Sequence, residues 1–344
     1  MFPGRRSAII VVVTCFFVLC CIGIGRLAAD ELHKKDGSIV YGLFKRDGKS
    51  SVKFLEVGNK RAKTYRKKDI QRIVLTWGLP DFVYSDPEWS REMVQARKEA
   101  SFDPAWGEVE VMRSDHYIVF TNSSAGKRYL KTMEDIYDKF KKTYPFEDLE
   151  DASLMPVFLF KTNDQYYRFY AKIANNSISR AKMSGGHSWK DYYATYYQAP
   201  KDPVHYHEGA HQLVKQRLRT SGGGSWFQEG LAVYFEGVVF KSEDPSIGMK
   251  TEVRTGRYIR LREMVALRSL LHSRDTESTA SHRYRQAGAI MKFLVEGPDK
   301  ERFPQLVEAV RSGDSWEEIF RNVYGRSIDE MDLAFVDFYK DYKR

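Results

Sequence analysis

The sequence KDPVHYHEGAH, at residues 201–211, predicts a helix that presents two imidazoles on one face. Asp202 is a residue type that caps helix N-termini, and Pro203 is favoured in the first helical turn. His207 and His211 are four residues apart, so a helix brings both rings to the same side. Two imidazoles in this arrangement can bind one Zn²⁺ ion with bonds of about 2.0–2.1 Å.

Glu208 lies between the two histidines and completes a His-Glu-x-x-His motif. This motif occurs in zinc metallopeptidases, where the histidines bind the metal and the glutamate acts as general base. The alternative is a core helix that contains histidines for packing. His205 points to a different face of the helix, so we expect a packed or surface histidine there rather than a ligand.

A second helix with an acidic residue is predicted after the glycines at residues 222–224. SWFQEGLAVYFE follows at residues 225–236, and Ser225 with Gln228 fits a capping box. This box would put Glu229 in the first helical turn. Two helices joined by a glycine turn can pack antiparallel, which brings Glu229 to the two histidines. Together the three side chains would form a His₂Glu zinc site with one open position.

The two motifs together resemble those of the gluzincin clan of metallopeptidases, to which thermolysin belongs. HEGAH followed by WFQEGLAVYFE is most similar to an exported bacterial branch with a peptidase-MA-like domain. The resemblance covers about residues 113–342 and is strongest at residues 203–236. It implies a fold with a mixed α/β half and an all-helical half, with the zinc helix between them.

The resemblance also implies one Zn²⁺ ion and a role for each site residue. The metal ligands would be His207, His211 and Glu229. Glu208 would be the general base. Members of the clan usually place a Tyr or His opposite this glutamate to stabilise the oxyanion. The candidates for that position, of which we favour the first as a catalytic residue, are Tyr284, His187 and His282.

Two further features flank the predicted site. Glu236 is seven residues beyond Glu229 on the same helical face, where it can hold a ligand imidazole or form a salt bridge. The sequence SGGH at residues 184–187 predicts either a flexible loop or an edge strand to which a peptide adds.

The N-terminus predicts export from the cytoplasm. Arg5 and Arg6 precede an apolar run without charges at residues 8–25. Cleavage near Ala29 would remove residues 1–29 as a signal peptide, or the run would stay as a membrane anchor. In both cases the two arginines place the rest of the protein outside the cytoplasm.

Residues 30–78 predict a small basic β module. Turn pairs such as Asp36-Gly37 separate short β-forming runs, in an order that resembles SH3-like or Sm-like barrels. Residues 31–76 contain 13 Lys and Arg against 5 Asp and Glu, a net charge of +8. This charge indicates a solvated face or the binding of an anionic surface or cell-wall polymer. Export argues against nucleic acid as a partner.

Length and composition are typical of a globular protein with about two domains. Of 344 residues, 42% are hydrophobic and 29% are charged, which excludes a disordered or collagen-like chain. The three cysteines precede residue 22, which excludes a disulfide scaffold and thiol catalysis elsewhere. We predict an α+β protein with a linker and a peptidase domain after the β module. The linker and the three parts of the domain are residues 79–112 (with a helix at 87–100), 113–200 (mixed α/β), 201–240 (zinc-binding helices) and 241–344 (helical).

Hydrophobic periodicity predicts the elements of the peptidase domain. Strands are expected at residues 116–121, 155–160 and 192–197. Helices are expected at residues 125–142, 164–172, 261–271, 284–296, 303–312, 316–324 and 328–342.

The sequence therefore predicts a zinc-dependent peptidase that acts on peptide or protein substrates outside the cytoplasm. The alternative is a non-catalytic surface- or wall-binding protein that uses the basic β module and carries an inactive peptidase-like fold. The presence of His207, Glu208, His211 and Glu229 together argues against the alternative, because a lapsed site has no reason to keep all four.

Overall fold

The computed structural model of the chain describes residues 30–342 apart from gaps. The gaps are residues 48–49, 77–87, 91–96, 148–153, 174–177, 183, 190, 198, 200 and 272–275. The signal peptide or anchor predicted at residues 1–29 lies outside the described residues. None of the helices in the described part of the chain combines the length and apolar character that a membrane crossing needs.

Two compact units make up the chain. The first comprises Met1–Asn122 and Asp148–Leu154, and the second comprises Ser123–Glu147 and Met155–Arg344. The boundaries predicted at residues 78 and 112 stay predictions, because compactness alone does not show which segment folds independently.

The first unit is built from antiparallel strands. They are β1 (Asp30–Lys34), β2 (Ile39–Asp47), β3 (Ser51–Glu56), β4 (Lys63–Arg66), β5 (Ile70–Thr76), β6 (Glu88–Ser90), β7 (Glu110–Arg113) and β8 (Tyr117–Thr121). The strands β4, β3, β2, β1, β5 and β6 pair in that order, and β7 pairs with both β2 and β8. Short 3-10 helices lie at Lys67–Asp69 and Pro104–Trp106.

Turns and alternating burial explain the strands of the β module. Gly37 has a φ of 85° in the turn between β1 and β2. In β3, Val52 and Phe54 are buried while Lys53 between them is exposed, as in a strand with one buried face. The predicted closed barrel is not confirmed, because no strand pair joins β4 to β5 in the described residues.

The second unit combines a small sheet with helices. Its strands are β9 (Met155–Phe160), β10 (Gly186–Trp189) and β11 (Tyr192–Tyr196). Strand β11 is parallel to β9 and antiparallel to β10. The helices are α1 (Gly126–Thr143), α2 (Asn163–Ile173), α3 (Ile178–Ala181), α4 (Pro203–Gln216), α5 (Gly224–Val239), α6 (Met249–Arg254), α7 (Leu261–Ala266), α8 (Glu277–Glu296), α9 (Phe303–Ser312), α10 (Trp316–Tyr324) and α11 (Ile328–Lys340). Short 3-10 helices lie at Lys241–Glu243 and Lys300–Arg302.

Glycines let α4 and α5 approach their neighbours closely. A Cβ atom added to Gly209 of α4 would lie 3.0 Å from Cγ2 of Ile136 in α1. A Cβ atom added to Gly230 of α5 would lie 2.8 Å from the carbonyl oxygen of Ala287 in α8. These contacts explain why a glycine occupies the middle of each helix, at a cost of about 1 kcal/mol relative to alanine.

The helix predicted at residues 87–100 is wrong in its first part. Residues 88–90 form strand β6, which pairs with β5, and helical structure is described only at residues 97–101. Pairing with β5 supplies hydrogen-bond partners for both backbones, and this outweighs local helix preference.

Two helices of the second unit differ from the predicted bounds by five residues or more. Helix α7 ends at Ala266 rather than residue 271, because the chain then extends so that the N–H of Leu270 can bond the hydroxyl of Ser225. Helix α8 begins at Glu277 rather than residue 284, after a cap in which Thr276 accepts the N–H of Thr279. The first turns of α8 are polar, so apolar periodicity did not reveal them.

Candidate metal centre

Helix α4 presents two histidines on one face. Asp202 caps the helix by accepting a hydrogen bond from the N–H of Val204 at 2.9 Å, and Pro203 is the first helical residue. The ring centroids of His207 and His211 lie 4.9 Å apart. The predicted start of this helix is therefore confirmed.

Helix α5 carries Glu229 to the same place. The helix begins at Gly224, and its N-cap is Gly223 with a φ of 80°. The predicted capping box is wrong, because the Ser225 hydroxyl accepts the N–H of Leu270 instead of capping the helix. Glu229 consequently lies in the second helical turn rather than the first.

The carboxylate of Glu229 lies between the two imidazoles. Its Oε2 is 3.2 Å from Nε2 of His207 and 3.1 Å from Nε2 of His211. Each of the three residues offers a ligand atom within 4.8 Å of the others. A tetrahedral zinc ion with bonds of about 2.0–2.2 Å holds its ligand atoms about 3.3–3.5 Å apart. Two imidazole nitrogens and one carboxylate at this spacing fit zinc.

Solvent reaches the three side chains. His207 and His211 are each 18% exposed, and Glu229 is 22% exposed. A closed structural zinc site uses four protein ligands, whereas a catalytic site keeps a position for water. The three candidate ligands converge and stay partly exposed, which leaves room for such a position.

Glu236 fixes the orientation of one of these imidazoles. Its Oε2 lies 3.2 Å from Nδ1 of His207, on the side of the ring opposite Glu229. When Nδ1 keeps the proton and donates a hydrogen bond to Glu236, Nε2 is left with a lone pair for a metal. The predicted contact of Glu236 with one of the two imidazoles is therefore present, and the role of that imidazole as a metal ligand stays a prediction.

The Glu236→Gln variant should bind zinc about 10- to 100-fold more weakly than the wild type. The neutral amide still accepts a hydrogen bond but no longer raises the basicity of His207. Competition with a fluorescent zinc chelator measures the change. Glu243→Gln is the matched control, because Glu243 lines the same cavity as Glu236 but, among the described residues, its carboxylate accepts the Ser242 hydroxyl and contacts no histidine. Equal zinc affinity of Glu236→Gln and the wild type would contradict the assigned contact.

The charges of this cluster are strongly coupled. Burial disfavours a proton on His207, but the hydrogen bonds to Glu229 and Glu236 outweigh it and raise the pKa of His207. Burial would raise the pKa of Glu229, yet the charges of His211 and His207 hold that pKa well below its usual value. Without a metal, the cluster therefore holds together as a carboxylate shared by two imidazoles.

Glu208 contacts the edge of the small sheet. One of its carboxylate oxygens accepts the N–H of Ser188 in β10 at 2.9 Å, and its carbonyl oxygen accepts the Ser188 hydroxyl at 2.7 Å. Burial raises the pKa of Glu208, although His211 and His207 oppose this effect. A raised pKa makes a carboxylate a better acceptor for a proton.

Tyr284 faces the cluster from helix α8. It lines a cavity of about 460 Å³ together with His207 and Glu236. Burial, followed by the negative charges of Glu229 and Glu208, raises the pKa of Tyr284, so its hydroxyl stays protonated. Tyr284 is the eighth residue of α8 and does not open the helix.

The other candidate histidines have different partners. Nδ1 of His187 lies 3.1 Å from the Tyr166 hydroxyl, and burial lowers the pKa of this histidine to about 4. Nδ1 of His282 is 3.6 Å from the Glu252 carboxylate. His205 is buried, with Nδ1 2.9 Å from the Tyr193 hydroxyl, which agrees with the packing role expected of it.

Sequence reasoning missed the contact between Ser188 and Glu208. Residues 184–187 were expected as a loop or an edge strand, and the structure contains the strand, β10. Ser188 directly follows the SGGH sequence at residues 184–187. The strand β10 has only four residues, which are too few to show a period-two pattern. No local signal indicates that its N–H reaches a residue twenty positions away.

Some lysines and arginines of the basic β module pair with acidic residues of the same module. A cavity of about 600 Å³ is lined by Lys34 and Arg66 but also by Asp36 and Asp69. Lys34 lies 3.2 Å from Asp36, and Arg66 lies 2.9 Å from Asp69. These pairs are those of a solvated charged face, and polymer binding by residues 31–76 stays a prediction.

Comparison with known proteins gives structural neighbours of low similarity. No known protein family and no curated protein sequence matches this chain. The chain is similar to an M1 zinc metallopeptidase from Deinococcus radiodurans, solved with one glutamate replaced by alanine, at 12% identity and a TM-score of 0.37. That match covers 92% of this chain and 62% of the other.

A second neighbour is a two-domain M1 zinc metallopeptidase with the same replacement, bound to L-arginine. It has 12% identity and a TM-score of 0.36, over 88% of this chain and 60% of the other. This chain thus spans less than two thirds of either structure. Similarity at this level establishes neither a family nor an activity for it.

Proposed function

We propose that this protein is a zinc-dependent peptidase that hydrolyses amide bonds of peptide or protein substrates. The observation that carries the proposal is the convergence of His207, His211 and Glu229, with Glu229 Oε2 within 3.2 Å of both Nε2 atoms. Glu208 lies beside this cluster on helix α4, which also carries the two histidines. Tyr284 of helix α8 lines the same cavity as His207.

Different residues of the site can carry out the different steps of hydrolysis. His207, His211 and Glu229 would hold a zinc ion, which would lower the pKa of a water molecule to about 7 and polarise a carbonyl oxygen. Glu208 accepts the proton of the attacking water and then donates it to the leaving amine nitrogen. The N–H of Ser188 holds one carboxylate oxygen of Glu208 in place during both transfers.

Tyr284 would donate a hydrogen bond to the oxygen that becomes negative during the reaction. Because the pKa of Tyr284 is raised, the hydroxyl is available as a donor at neutral pH. The Tyr284→Phe variant should lose about 10²- to 10³-fold in kcat, with zinc content unchanged. Tyr324→Phe is the control, since this tyrosine is buried on α10, outside the cluster and the cavity beside it. A kcat for Tyr284→Phe equal to that of the control would remove Tyr284 from the mechanism.

The experiment that tests the proposed function is a metal and turnover measurement on the purified protein. We expect about one zinc ion per chain and cleavage of an unstructured protein substrate that stops on chelation and returns on adding zinc. A folded protein that neither binds zinc nor cleaves any peptide would refute the proposal.

We further propose that the activity is extracytoplasmic. This part rests on Arg5, Arg6 and the apolar run at residues 8–25. N-terminal sequencing of the exported protein distinguishes a cleaved signal peptide, which gives a start near Asp30, from a retained anchor. Protein found only in the cytoplasm would contradict it.

A further inference from the structure

A second cavity lies beside the cluster, on the side of His211. Its volume is about 310 Å³, and both His211 and Glu229 line it. At about 30 Å³ per water molecule, this is space for about ten waters, or for a side chain of a bound peptide. The cavity therefore adjoins the place where a scissile amide would lie.

Gln228 contributes a hydrogen-bond acceptor of fixed orientation to this cavity. It lines the cavity and directly precedes Glu229 on α5. Its amide nitrogen donates to the carbonyl oxygen of Gly222 at 2.7 Å and to the hydroxyl of Thr220 at 3.4 Å. Because a carbonyl oxygen can only accept, the nitrogen is the end of the amide that contacts Gly222. Both amide hydrogens are thus in use, whereas no described residue donates to the Oε1 atom of Gln228.

Gln212 repeats this arrangement in the wall of the same cavity. Its amide nitrogen donates to the carbonyl oxygens of Pro156 and Asp191, each at 2.9 Å. These two bonds use both amide hydrogens and fix which end of the side chain is the oxygen. Gln212 is only 2% exposed, yet its Oε1 accepts no hydrogen bond within the described part of the chain. A buried acceptor without a donor is unusual in proteins, and it indicates a donor that does not belong to the chain.

Hydroxyl groups add donors to the same cavity. Thr220 and Ser221 line it, and the hydroxyl of Thr220 keeps its own hydrogen for donation while it accepts from Gln228. Lys215 also lines the cavity, but it has a partner within the chain, so its ammonium is not available to a ligand. The cavity therefore offers a ligand two amide oxygens as acceptors and hydroxyls as donors.

A primary carboxamide matches this set of groups. Its NH₂ group has the two hydrogens that the Oε1 atoms of Gln228 and Gln212 can accept, and its oxygen can accept from a hydroxyl. An ammonium or guanidinium group has no acceptor for the hydroxyls, and its charge would be buried against uncharged oxygens. A carboxylate has no hydrogen to donate to the two amide oxygens.

We infer that this cavity is a carboxamide-binding subsite and that Gln228 determines a preference for substrates with Asn or Gln next to the cleaved bond. The inference rests on the proposed peptidase function and deepens it by naming a substrate class. Because Gln228 directly precedes the candidate ligand Glu229, a side chain held by Gln228 belongs to a residue close to the scissile amide.

A structural role for Gln228 makes a different prediction. Its bond to the carbonyl oxygen of Gly222 holds the glycine turn before α5, in which Gly223 has a φ of 80°. In that role, replacement of Gln228 would lower the Tm and weaken the binding of all peptides equally. A change in the ranking of peptides that differ in one side chain therefore separates the two roles.

The test uses the zinc-loaded full-length chain with Glu208→Gln, so that bound peptides are not consumed. Blocked heptapeptides of otherwise uncharged residues carry a single Gln at successive positions, and they are compared with matched peptides that carry Met, Glu or Lys. A parallel series compares Asn with Leu and Asp. We expect Gln or Asn at one position to bind about 10- to 100-fold more tightly than its matches, measured by fluorescence anisotropy. The series with the larger preference gives the length of the preferred side chain.

Added substitutions assign the preference to Gln228. Gln228→Met removes the amide oxygen at nearly constant length and should reduce the preference to about onefold. Gln228→Lys keeps a donor for Gly222 but offers no acceptor, so it should reverse the ranking in favour of the Glu or Asp peptide. Gln305→Met is the matched control, because Gln305 is an exposed residue of α9 in the same unit. Zinc content should be equal in all of them.

Several outcomes would overturn the inference. They are equal binding of the carboxamide peptides and their apolar matches, tighter binding of a charged match, a preference that survives Gln228→Met, and an equal loss in Gln305→Met. The cleavage assay on the wild type keeps the two levels apart. Cleavage without preference for Asn or Gln removes only the subsite, whereas absence of zinc and of cleavage removes the peptidase function on which it rests.

Discussion

The Glu208→Gln variant should retain about one zinc ion per chain and lose about 10²- to 10⁴-fold in kcat. The amide is nearly the same size as the carboxylate and can still accept the N–H of Ser188, so the local structure is preserved. It cannot accept a proton from water, and this removes the general base. Because burial already disfavours the charge on Glu208, loss of that charge should not destabilise the fold.

Metal content and peptide cleavage are measured on the same preparation of Glu208→Gln. Glu263→Gln is a suitable control, since Glu263 is an exposed residue of α7 in the same unit. Two results would contradict the assignment of Glu208 as base. One is turnover equal to that of the control, and the other is loss of zinc together with loss of turnover.

The His211→Ala variant should lose zinc, with an affinity at least about 100-fold below that of the wild type. Replacement of a direct ligand costs more than replacement of an outer partner, for which about 10- to 100-fold is typical. The change leaves two protein ligands, fewer than the three that catalytic zinc sites use. Glu229 also loses one of its two imidazole partners.

Equilibrium dialysis against buffered zinc measures this loss directly, and thermal unfolding gives a second readout. A ligand that binds only the folded state raises its stability by mass action, so zinc should raise the Tm of the wild type and not that of His211→Ala. His282→Ala is the control, because His282 lies on α8 with its Nδ1 3.6 Å from the Glu252 carboxylate and is not one of the three grouped candidate ligands. Equal zinc binding by His211→Ala and the control would exclude the proposed metal centre.

The sequence allowed the start of helix α4 to be predicted because the signals are local. Asp202 and Pro203 act on the first turn of α4, and the spacing of His207 and His211 places both on one face. Strand β9 was likewise predicted from an uninterrupted apolar run, and its bounds agree with the structure. Such features depend on neighbours within a few residues, which a sequence shows directly.

Contacts between distant segments could not be predicted in the same way. The arrival of Glu229 at the histidines was expected from a glycine turn and antiparallel packing, but the cap proposed for its helix was wrong. The hydroxyl of Ser225 accepts the N–H of Leu270, a residue distant in sequence, and no local sequence pattern indicates this contact. The link from Ser188 to Glu208 and the polar first turns of α8 belong to the same class, because tertiary partners determine them.

The two glycines that face neighbouring helices have a consequence for how substitutions in this protein should be interpreted. Gly209 stands between Glu208 and His211, and Gly230 directly follows Glu229. A methyl group at Gly230 would lie 2.8 Å from the carbonyl oxygen of Ala287, so the backbone there must shift, whereas at Gly209 the side chain of Ile136, 3.0 Å away, must give way. Tolerance to change around this centre is therefore governed by two residues with no functional group at all. A variant ranked harmless by side-chain chemistry can still displace the candidate ligands of this centre.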